Sequence, residues 1–188
     1  MNDFEALTDW IQPRHLTPAG VDAYRADFEN HPVRMLRLTD FLKEDVAAGL
    51  GQFLGREANY RSVYRLHPSS RYRLNSSAWV SEEIWRMVDE KDRFYTLQLL
   101  IGPDPHFRLS PNLWTFLNFC NLLATPAFKD FIRVITGFPI GNLDRNEVHR
   151  MRIGDVVKPH AIGPKGAAVW RSCFEGRLRR CVPHYRRR

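Results

Sequence analysis

The residues best suited to chemistry crowd towards one end of the chain. Within the 13 residues Val148-His149-Arg150-Met151-Arg152-Ile153-Gly154-Asp155-Val156-Val157-Lys158-Pro159-His160 lie two imidazoles, one carboxylate and a Gly-Asp step. An imidazole can ligate a metal or relay a proton. His160, after a proline at a strand end, is the member of this group open to a ligand role; taken alone, a surface or hydrogen-bonded histidine is the plainer reading. Cys173, Cys181 and His184 are the other metal-binding types in one neighbourhood, but three scattered donors without a fourth do not make a tetrahedral zinc site. His15, His31, His67, His106 and His149 stand singly and suit structural or solvent roles. The chain holds no glycine-rich phosphate loop, nucleophile elbow or HExxH.

The pattern over residues 148–160 resembles the first core strands of the prolyl-4-hydroxylase-like 2-oxoglutarate/Fe(II) dioxygenases. In that family Arg-Met/Tyr-x-x-Gly-Asp is followed after two or three residues by Pro-His-x-Asp. The lead-in is similar as well: Arg34 to Asp40 followed by Phe41-Leu42 resembles the family's strand-then-helix opening, and Phe131 to Gly137 the helix end before its barrel. In layout the resemblance covers residues 25–160; its specific part is 148–160. The resemblance implies an α+β fold with N-terminal helices packed on the opening strands of a double-stranded β-helix (jelly roll). It implies Fe(II) held by two histidines and one carboxylate, with 2-oxoglutarate and oxygen on the open positions. His-x-Asp can supply two of those ligands because strand residues i and i+2 share a face. By this resemblance His160 is the first metal ligand, and an intact relative hydroxylates an unactivated C–H of a substrate that is a protein residue or a small molecule.

The chain departs from the family two residues later. Ile162 stands where the carboxylate belongs; beyond it the only carboxylate is Glu175 and the only histidine His184, at spacings the family does not use. Roughly six more strands of about 5–6 residues would be needed to complete the barrel, more than residues 161–188 can supply. The expectation is an incomplete jelly roll, inactive as given, with no catalytic residue assigned and residues 161–188 read out of frame. A two-base shift within the codons of residues 161–168 permits Asp-Arg-Ala-Glu-Gly-Arg-Arg, which restores His-x-Asp. The alternative is a non-catalytic interaction module built on the helical half, self-associating through exposed apolar surface.

The elements that would position this segment are signalled locally. Thr17-Pro18 reads as an N-cap and first-turn proline opening a helix through Val21, Tyr24 and Phe28. Asn30-His31-Pro32 ends it, and 33–38 alternates like a half-buried strand. Thr39-Asp40 suggests the start of a second helix bearing Phe41, Leu42, Val46, Leu50 and Phe53-Leu54. Residues 59–66 suit a strand, Pro68-Ser69-Ser70 a turn, and Ser81 the start of a short helix with Ile84, Trp85 and Val88. Residues 94–101 fit strand or helix, and Gly102-Pro103-Asp104-Pro105 is a break. Ser110-Pro111 and Thr125-Pro126 start two further helices, the latter ending at Thr136-Gly137. Residues 148–153 and 156–160 suggest strands around a Gly154-Asp155 turn. The order predicted is helices first, strands last. Trp79, Trp85, Phe94, Tyr95, Trp114, Phe116, Phe119, Phe128 and Phe131 are expected in the core.

Charge places a boundary at the same point. The net charge of +7 is confined to residues 161–188, which carry eight Lys and Arg against one Glu, while residues 1–160 balance 20 against 20. The division expected is therefore 1–160, the N-terminal part of a dioxygenase-like domain, and 161–188, a basic tail unlike the family. A neutral 160 residues without a reader motif argues against nucleic acid as partner, although cations bind phosphate non-specifically. An odd count of three cysteines, an acidic N-terminus and no apolar run of spanning length predict a cytoplasmic setting and no membrane partner.

Overall fold

Three helices begin at a hydroxyl that accepts a backbone N–H, at Thr17, Ser81 and Thr125, as a capping role requires. The computed structural model describes residues 4–32, 34–72, 78–102, 109–138 and 148–155. After a short α1 (Pro13–Leu16), the Thr17 hydroxyl accepts the Gly20 N–H at 3.1 Å and α2 runs Pro18–Asn30. Helix α3 spans Glu44–Gln52 and passes into a π-helical turn, Phe53–Glu57. Helix α4 (Glu82–Met87) starts at Ser81, whose hydroxyl accepts the Ile84 N–H at 3.3 Å. Helix α5 (Pro111–Ala124) is followed by α6 (Pro126–Thr136), capped by Thr125 and ended by Gly137 at φ +72°, a conformation that favours glycine. The strands are β1 (Asn59–Leu66), β2 (Trp79–Val80), β3 (Arg93–Gly102) and β4 (His149–Arg150).

The described residues divide into two compact units, interleaved along the chain. The helical unit draws on residues 4–56 and 111–138. Apolar residues of α6 recur at Phe128, Phe131, Ile132 and Ile135, one face of a helix, and all four are buried with Leu7, Ile11, Val21, Leu50, Phe119 and Leu122. Ring contacts tie this core together: Phe131 meets Phe4 edge-on at 5.4 Å and Phe41 at 5.7 Å. His15, expected in a structural or solvent role, is a core histidine, 4% exposed. Its Nε2 donates to the Asp40 carbonyl at 2.9 Å, and the Tyr24 hydroxyl hydrogen-bonds Nδ1 while the two rings stack. A backbone bridge pairs Ile11 with Leu42, flanked by Gln12 N–H to the Phe41 carbonyl and Lys43 N–H to the Trp10 carbonyl, each 2.9 Å.

The sheet unit draws on residues 57–110 and 148–155. Its four antiparallel strands lie in the order β2-β1-β3-β4. The long β1–β3 pairing, Tyr60 opposite Leu100 through Tyr64 opposite Thr96, decides residues 94–101 in favour of strand.

Of the described residues, 52% are helical and 18% strand, an α+β composition. Four sequence expectations are corrected. Residues 34–38 form no strand, since Arg34 has φ +51° and no ladder partner among the described residues holds the segment extended. The second helix starts at Glu44 rather than after Asp40, whose φ of +48° turns the chain and commits Leu42 to the bridge with Ile11. The order is not helices first and strands last, because β1 to β3 precede α5 and α6. Trp79 and Trp114 are 49% and 52% exposed, since each neighbours a residue that takes the buried direction, Ala78 and Leu113. The second predicted strand, 156–160, and the division at residue 160 lie outside the described residues. Among the described residues no helix is long and apolar enough to cross a membrane.

Candidate functional site

The described part of the 148–160 pattern is the last strand in the order of the described sheet, followed by a tight turn. Strand β4 pairs His149 with Leu99 and Arg150 with Gln98, and the Val148 carbonyl accepts the Leu100 N–H at 2.9 Å. The chain then reverses: the Asp155 N–H donates to the Arg152 carbonyl at 3.0 Å, and Gly154 sits at φ +93°. A side chain at Gly154 would be strained there, which gives the Gly of the Gly-Asp step a backbone reason.

The Asp has a reason of its own. One carboxylate oxygen of Asp155 accepts the Arg152 backbone N–H at 2.7 Å, closing the turn on itself. The other accepts the Thr96 hydroxyl at 2.9 Å and lies 3.9 Å from the Arg152 guanidinium. This side chain is only 5% exposed, so both oxygens are used inside the protein. Asp155 therefore pins the β4 turn to the middle of β3.

Strand register brings further polar groups to the same sheet face. Tyr60, Ser62 and Tyr64 of β1 stand opposite Leu100, Gln98 and Thr96 of β3, and Arg150 of β4 stands opposite Gln98. The Arg150 guanidinium lies 5.7 Å from the Tyr60 ring centre, and Arg152 approaches the Ser62 hydroxyl at 3.4 Å. Burial pushes the Tyr60 phenol up, with Arg150 partly opposing. Burial also raises Tyr64, reinforced by its hydrogen bond with Glu82. That same hydrogen bond holds the Glu82 carboxyl below the usual range; burial opposes it and Arg86 adds to it. With their pKa values raised, both phenols stay protonated at neutral pH, and that of Tyr64 donates to the Glu82 carboxylate.

The sequence-derived metal residue, His160, lies outside the described residues, as do Ile162, Glu175, His184, Cys173, Cys181 and His106. Cys120 is half-buried, and burial raises its thiol pKa, the opposite of an activated nucleophile. The described residues contain no group of three His, Cys, Asp or Glu able to hold a metal ion. The donor set implied by resemblance does not fit Fe(II). Ile162 has an alkyl side chain where an oxygen donor is needed, and both oxygens of Asp155 are engaged by Thr96 and Arg152. The Thr96–Asp155 contact spans 59 residues and left no mark in sequence spacing. No family model matches this chain, and no curated protein or solved structure matches it either.

Proposed function

We propose that the chain is a 2-oxoglutarate/Fe(II)-dependent oxygenase-family protein, prolyl-4-hydroxylase-like, disrupted after its first iron-ligand position, His160, and without turnover. The observation that carries this reading is the 148–160 pattern. Support comes from its described part, an antiparallel strand and a Gly-Asp turn anchored in the neighbouring strand. The fold that follows is an N-terminal helical layer with the opening strands of a jelly roll, in a cytoplasmic protein. In an intact relative Fe(II) and 2-oxoglutarate supply oxygen activation; here the residues present do not complete the ligand set, and no step is assigned to them.

Two measurements test the two halves of the proposal. Purified full-length chain given Fe(II), ascorbate and 2-oxoglutarate should release succinate no faster than its His160→Ala variant; His160-dependent succinate would overturn the inactive reading. The nucleotide sequence downstream of the His160 codon should encode His-x-Asp and a later histidine in another frame. If no frame does, the family reading fails.

The helical unit favours a second reading, a non-catalytic interaction module. Helix α5 exposes Trp114 at 52% and Leu117 at 38%, large apolar side chains that a partner could cover. Size-exclusion chromatography at several concentrations should then show self-association, and a monomer throughout would count against it.

A further inference from the structure

We draw no further inference here: the strongest candidate, the buried His15 side-chain cluster between α2 and the turn at Asp40, carries neither a ligand site nor a pH switch, because the Tyr24 hydroxyl and the Asp40 carbonyl occupy both ring nitrogens and satisfy them in either protonation state.

Discussion

The two units of this protein are held together by different physics. The helical unit is an apolar core in which aromatic rings meet at 5.4–5.7 Å around Phe131. The sheet unit has two two-residue strands, and to a smaller buried apolar set, Val63, Leu66, Val88 and Leu97, it adds directed polar contacts: the Thr96–Asp155 bond, Arg65 donating to the Tyr95 hydroxyl at 2.7 Å, and Arg93 set 4.5 Å from the Trp85 ring centre. Burial is tolerant of direction but sensitive to volume, while a hydrogen-bonded staple is the reverse. Substitutions in the two units should therefore fail in different ways.

The largest effect is expected at Phe131, which is fully buried. Phe131→Ala should cost about 3–5 kcal/mol, read as a lower urea midpoint with lost amide protection in α2 and α6. Next comes Asp155→Ala in the sheet unit, which strands the Thr96 hydroxyl and the Arg152 N–H. A loss of about 1–3 kcal/mol is expected. A double-mutant cycle with Thr96→Val should be strongly non-additive, and additive losses would show that Asp155 acts without Thr96. Gly137→Ala should cost about 1 kcal/mol through the positive φ at the end of α6, with no loss of core contacts, in the same denaturation assay.

The smallest effect is electrostatic and belongs to the sheet unit. Glu82 is held below the usual carboxylate range, first by the Tyr64 hydroxyl and, after opposing burial, by Arg86. A carboxyl depressed in the folded state contributes stability that is present at neutral pH and is lost as pH falls through its lowered value. Tyr64→Phe should therefore flatten the acid limb of a stability–pH curve slightly, because Glu82 lies at the surface where water screens the interaction. An unchanged acid limb would mean the phenol adds nothing to that pairing.

The same contrast explains what could be read from the chain. Caps at Thr17, Ser81 and Thr125 are local devices: hydroxyl and N–H lie three residues apart, so the helix starts were legible. The α6 face was legible because its period is built into the helix. Residues 34–38 were misread because alternation predicts a strand only where a partner completes the ladder. Residues 94–101 became a strand through β1, more than thirty positions earlier. The Gly154-Asp155 turn could be marked as a turn, but not its anchor, since Thr96 is remote and ordinary in sequence.

The interleaving of the units bears on how the chain acquires its structure during synthesis. Arg25 of α2 donates to the Val134 carbonyl of α6, a contact across 109 residues. The first helices therefore leave the ribosome long before the helices that cover them, and the whole of β1 to β3 is made in between. High sequence separation of this kind slows closure and prolongs the exposure of apolar surface. Nascent chains stalled short of α6 should be the ones that recruit chaperones, whatever the finished protein binds.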